Sequence, residues 1–136
     1  MTHSKTISIT ACCTAIALIA STAAADVGGV WKTESNDEGR YLHVTIAPCA
    51  SDASKTCGTI SRAFTSQGED TGYANLGRSI IEDMTSSDGV EFDDGTIWNP
   101  SDGDTYSSEM RLKGDILEVD GCVAFICKEQ TWTRVR

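Results

Sequence analysis

The chain has 136 residues, with 11 basic and 20 acidic side chains, a formal charge of -9 and a pI near 4.5. Residues 1–25 carry one charged group, Lys5, so their removal leaves a chain of charge -10 in which about 35% of residues are apolar, enough for one small domain and not for a second module. Without a Lys/Arg cluster, this acidic balance excludes nucleic acid and anionic lipid as partners, because both repel the chain at long range.

In chain order, Met1 to Lys5 is a short basic start, Ile7 to Ala20 is apolar apart from Ser8, Thr10 and Thr14, and Ser21 to Ala25 is a run of small residues. This is the pattern of a secretory signal peptide over 1–25, cleaved after Ala25, which places the mature protein in the periplasm or the medium. An apolar run of about 14 residues falls short of the roughly 20 that span a bilayer, so no membrane span is expected after cleavage. Ile9-Thr10-Ala11-Cys12 has the residue types of a lipobox, but too few apolar residues precede Cys12 to engage a membrane, and Cys12 and Cys13 are read as passengers.

Beyond the leader the apolar period is two. Leu42, Val44 and Ile46 alternate with Tyr41, His43 and Thr45; Tyr106, Ser108, Met110 and Leu112 alternate with Thr105, Ser107, Glu109 and Arg111. Each run has one face for a core and one for water. Turn signals recur at Glu38-Gly39, Asp88-Gly89, Asp94-Gly95, Asp102-Gly103, Gly114-Asp115 and Asp120-Gly121. Strands are expected near 28–34, 40–48, 57–64, 78–84, 90–98, 104–113, 115–122 and 126–135, with a long loop over 65–77 that is either a lid or a plain connection. No helical stripe and no internal repeat is present. Eight short antiparallel strands with exposed edges would aggregate, so the fold class is all-β and closure into an up-and-down barrel over residues 26–136 is the expectation.

Four cysteines follow the leader, Cys49, Cys57, Cys122 and Cys127, and four allow three pairings. In an exported chain an even number reads as disulfides. Cys49 and Cys57 flank a polar turn between two alternating runs, and Cys122 and Cys127 flank Val123 to Ile126, so local pairing is favoured. A four-thiolate zinc site or a redox pair is the rival reading, but neither pair has the C-x-x-C spacing.

Little points to catalysis. His43 is the one histidine after the leader, and without a nucleophile motif beside it the plain reading is a partly exposed strand residue. There is no G-x-S-x-G, H-E-x-x-H or phosphate loop. Aligning Gly103 with the glycine of an EF-hand loop puts Trp98 and Pro100 where carboxylates are required, so the acidic turns are read as solvated, with no metal and no cofactor. The aromatics carry more. Trp98 and Tyr106 flank the Asn99 to Gly103 turn on adjoining strands, where they either plug a small core, the plainer reading, or offer a stacking surface at a barrel mouth. With His43 and Arg111 they form the candidate ligand-binding set. Arg62 and Arg78 are read as solvated, and Trp132 as structural.

Gly29-Val30-Trp31, Cys57-Gly58-Thr59-Ile60, Gly95-Thr96-Ile97-Trp98-Asn99-Pro100 leading to Asp102-Gly103-Asp104-Thr105-Tyr106, Gly121-Cys122 and Gln130-Thr131-Trp132-Thr133-Arg134 occur in this order. Together they resemble the secreted bacterial family known as domain of unknown function 2147, over essentially residues 28–136. The resemblance implies a lipocalin-like, calycin-type eight-stranded barrel. It further implies that Trp31 closes one end beneath Arg134 of the last strand, by cation-π packing. The chain is shorter and leaner than typical lipocalins, which argues against a large ligand cavity.

The expected function is non-enzymatic binding of a small apolar or amphipathic molecule. The alternative is a protein-interaction or inhibitor barrel acting on an envelope or secreted enzyme, and an enzyme built on His43 ranks third. An interior of about 300 Å³ or more favours ligand binding, and a packed one favours interaction.

Overall fold

Residues 2, 6–17 and 26–136 are described by the structure, a computed structural model. The signal-peptide junction after Ala25 lies outside the described residues, and residues 6–17 are exposed and form no strand.

The alternating runs form β1 (Gly29–Lys32), β2 (Tyr41–Pro48), β3 (Thr56–Thr65), β4 (Gly68–Glu69), β5 (Ser79–Met84), β6 (Glu91–Trp98), β7 (Thr105–Lys113), β8 (Ile116–Val123) and β9 (Ile126–Arg134). Eight of these coincide with the expected strands. The ninth, β4, is an addition inside the expected loop: it turns back on the end of β3, pairing Phe64 with Glu69 and Thr65 with Gly68. The other eight pair antiparallel with their ring neighbours, and β9 returns to β1 through Trp31 with Arg134 and Lys32 with Thr133. The sheet is therefore a closed up-and-down barrel of eight strands, in which every long strand has two partners and no long edge remains to recruit another chain.

Connectivity sorts the loops to two ends. The chain start, the 49–55 turn, the 85–90 turn, the Gly114–Asp115 turn and the C-terminus lie at one end; the loops over 33–40, 66–78, 99–104 and 124–125 lie at the other. Large apolar side chains concentrate toward the first end. Trp31, Ile60, Ile81, Met84 and Leu117 are fully buried, and Phe92, Met110 and Leu112 nearly so. Arg134 closes this end: its guanidinium lies 4.3 Å from the Trp31 ring centre, donates to the carbonyls of Gly28 (3.0 Å) and Asp26 (2.7 Å), and pairs with Asp115 at 3.1 Å. The Trp31 indole N–H donates to the Val27 carbonyl at 2.8 Å, which ties the segment before β1 into the same plug.

The strands bend where the register slips. Between Phe92 and Gly95 two residues, Asp93 and Asp94, face a single one on β7, and Asp94 adopts φ 59°. This β-bulge sharpens the local twist that closure requires. It brings Gly95 so close to β5 that a Cβ there would sit 2.7 Å from the Glu82 carbonyl oxygen and 2.5 Å from the Met84 sulfur.

Each end carries a disulfide. Cys49 bonds Cys57 beside the 49–55 turn, and Cys122 bonds Cys127 across the last hairpin, with Cα separations of 4.9 and 4.0 Å. Such bonds belong to an oxidising compartment. Among the described residues no helix is long and apolar enough to cross a membrane.

Candidate functional site

The half of the barrel away from Arg134 is hollow. A cavity of about 890 Å³ opens between the four loops of that end. Its interior wall is Leu42, Ala63, Ile80, Ile97, Val119 and Trp132, and its mouth carries Tyr41, Phe64, Tyr73, Trp98 and Tyr106. This overturns the expectation that a lean apolar inventory leaves no large cavity. The reason is placement: the bulky side chains crowd the Trp31 end, while the inward positions of the other end include the small Ala63.

Trp98 and Tyr106 meet at this mouth. Both are half-buried and line the cavity, and Trp98 also packs against the core. The turn between their strands holds them. The Trp98 indole N–H donates to the Gly103 carbonyl at 3.2 Å, and the Tyr106 hydroxyl donates to the Asp102 carboxylate, which also accepts from the Asp104 amide at 2.8 Å. These bonds hold the Asp102 carboxyl below the usual carboxylate range, the Tyr106 hydroxyl contributing most. The same bond pushes the Tyr106 phenol up to about 12, because ionising it would put two anions face to face. Arg78 completes the cluster, its guanidinium carbon 3.6 Å from the centre of the Trp98 ring. Read from the sequence as solvated, Arg78 is exposed and also stacks on the Trp98 ring.

His43 and Arg111 do not join them. Both stand at alternate positions to the inward residues of their strands, His43 between Leu42 and Val44, Arg111 between Met110 and Leu112. The alternation that points Leu42 inward therefore points His43 outward. His43 is nevertheless buried, a correction to the partly exposed residue expected, because the Tyr41 and Phe64 rings pack on it with centroids 6.0 and 4.6 Å away. Burial, and then the nearby Arg62 and Lys32 cations, push its imidazole below 6.5. No carboxylate hydrogen-bonds to it; Glu69 is bound by Arg62 through two bonds of 2.6 Å. Arg111 forms an exposed ion pair with Glu91 on the outer face.

Tyr73 and Trp132 were not expected in the site. Tyr73 is the one aromatic of the 65–77 stretch, and that was the signal available in the sequence; it packs against the core while lining the mouth. Trp132 was read as structural, and it is fully buried, but its ring also walls the cavity. Among the described residues acid and sulfur groups converge at two places, Asp83 with Cys49 and Cys57, and Asp120 with Cys122 and Cys127, and neither offers a thiolate, because the sulfurs of each pair are bonded to each other. A second hollow of about 350 Å³ lies beside the 85–90 turn, where the Asp88 carboxylate is taken by the amides of Val90 and Glu91.

A closed eight-stranded meander, plugged at one end by a tryptophan under an arginine and open at the other to an apolar cavity, is a lipocalin-like barrel. The chain belongs to the family described as "Uncharacterized protein conserved in bacteria (DUF2147)", which matches residues 29–134. Among solved structures it is similar to a protein from Helicobacter pylori, titled "Protein HP1028 from the human pathogen Helicobacter pylori belongs to the lipocalin family", with a TM-score of 0.63 at 15% identity over 83% of this chain and 85% of that one. At that identity the likeness is one of fold. No curated protein matches the sequence.

Proposed function

We propose that this protein is an exported binding protein that holds a small apolar or amphipathic molecule in the open half of its barrel, with the tail against Ile80, Val119 and Trp132 and the polar end between Trp98 and Tyr106. The observation that carries the reading is the 890 Å³ cavity, whose volume falls in the range of about 300–1,000 Å³ typical of small-molecule sites. An aromatic rim with polar handles above an apolar floor suits a ligand with one wet end. Binding rather than catalysis is favoured because His43 packs on the outer face away from the cavity. The hollow interior also argues against a filled inhibitor barrel. Export through a cleaved 1–25 leader belongs to the same reading. It is supported by the two disulfides.

The test is native mass spectrometry of the protein as purified, with tryptophan-fluorescence titration against fatty acids and lysophospholipids of graded chain length. A retained or titrating species is expected, with affinity rising with chain length and reduced at least tenfold in Trp98→Ala. No bound species and no fluorescence change across the series would sink the reading.

A further inference from the structure

Among the described residues of the barrel, the most exposed large apolar side chains gather at the tip of the β8–β9 hairpin. Phe125 is 102% exposed, Ile126 80% and Val123 59%. The tip has a fixed shape: the Cys122–Cys127 disulfide clamps its base and Ala124 turns it with φ 53°. Val123 and Ile126 also line the cavity mouth, so an apolar track runs from the tip into the barrel.

We infer that this hairpin tip docks the open end of the barrel on a zwitterionic phospholipid surface, with Phe125 and Ile126 entering the bilayer interface. Two observations select this occupant over a protein. First, a convex tip of this size offers on the order of 400 Å² of apolar surface, well short of the roughly 1,000 Å² of a stable protein interface. Insertion into an interface needs no complementary partner surface, only apolar side chains that reach it. Second, the other loops of the same end are net acidic: Glu34, Asp37, Glu38, Glu69, Asp70, Asp102 and Asp104 stand against Arg40 and Arg78. Although Arg40 pairs with Glu38 and Arg62 with Glu69, the remaining carboxylates outnumber Arg78 and form an acidic collar. That collar repels anionic headgroups, and it complements phosphatidylcholine or phosphatidylethanolamine, whose outermost charge is an ammonium. Docking stands apart from what the cavity holds.

Phe125→Trp reports the contact directly. Against phosphatidylcholine vesicles its emission is expected to shift to the blue and to be quenched by bromine on the acyl chains, beyond any change in the wild type. Phe125→Ser with Ile126→Ser is expected to lower vesicle co-sedimentation at least tenfold. Wild type and variants are compared with the same N-terminus, established by mass, because an uncleaved leader has its own affinity for lipid. Water-like emission of Phe125→Trp on vesicles, or undiminished binding of the double serine variant, overturns the inference. So does tighter binding when about a third of the lipid is phosphatidylglycerol, and so does a lipid-free dimer that the serine variant dissociates.

Discussion

His43 costs the fold a proton-binding site. Its imidazole is packed by Tyr41 and Phe64 and faces the Arg62 and Lys32 cations, with Glu69 the one nearby group that opposes the shift. The folded pKa therefore lies below 6.5, and the unfolded chain binds more protons than the folded one in the window between the two values. Stability is complete above about pH 6.5, declines as the pH falls through the folded value, and levels below it. Urea denaturation between pH 4.5 and 8 is expected to show this decline in the wild type, and His43→Gln is expected to remove that component while leaving the carboxylate-driven loss at lower pH. Tyr106 makes a second residue-level prediction. Its phenol is expected to ionise near pH 12 by ultraviolet titration, separately from the other tyrosines, and Asp102→Asn is expected to bring it back toward 10 by removing the anion that opposes it. Of the four residues proposed from the sequence, Trp98 and Tyr106 line the mouth and His43 and Arg111 do not, and alternation accounts for part of this. Trp98 pairs with Thr105, an outward position, and reaches the mouth only because it ends its strand beside the 99–104 loop. Tyr106 shares its parity with Met110 and Leu112, whereas Arg111 falls between those two. What the alternation does not encode is that an outward strand position can still be buried, as His43 is, when flanking rings fold over it.

The barrel strands were legible from period-two runs and from the turns at Glu38-Gly39, Asp88-Gly89, Asp102-Gly103 and Gly114-Asp115, and both cysteine pairs because each spans a single hairpin; Asp94-Gly95 and Asp120-Gly121, also expected as turns, instead lie within β6 and β8. The bulges and β4 were not legible, since they depend on how the sheet curls. In β6 the Asp93-Asp94 insertion is invisible until Phe92 and Gly95 are seen opposite Met110 and Ser108. Gly95 then has a specific task, close approach to the backbone of β5. A methyl group there meets the Glu82 carbonyl, which cannot swing away without breaking the register with β6. Gly95→Ala is therefore expected to destabilise by about 1–3 kcal/mol, through overpacking and not through φ, as measured by the urea midpoint. The hairpins behave differently. The disulfides close loops of sequence separation 8 and 5, and the chain-entropy argument assigns each about 2–3 kcal/mol. Replacing Cys122 and Cys127 together by serine is expected to lower stability by about that amount and, because the clamp sits at the mouth, to weaken ligand retention as well.

At the scale of the whole molecule the barrel divides its work along its axis. Apolar bulk gathers around Trp31 and gives a small, disulfide-braced domain its stability, while the far half stays hollow between half-buried aromatics. A lean composition therefore did not imply a filled barrel: it limited the packed volume, and the sheet, closed by eight strands, set the remaining space. Arg134 is the test of this division. It joins β9 to β1, caps the Trp31 ring, holds the carbonyls of Asp26 and Gly28 and reaches Asp115 on the β7–β8 turn, all at the end remote from the cavity. Arg134→Ala removes the cation-π contact and these hydrogen bonds together, and is expected to cost about 1–3 kcal/mol. Arg134→Lys is expected to recover part of that loss, because an ammonium keeps the charge over the ring but lacks the planar fork that reaches three acceptors. Ligand affinity measured well below the unfolding transition is expected to be unchanged in both variants, since sites at opposite ends that share no partners act independently. A parallel fall in affinity and stability in Arg134→Lys would show that the plug and the cavity are one mechanical unit, and that the mouth is shaped from the opposite end of the barrel.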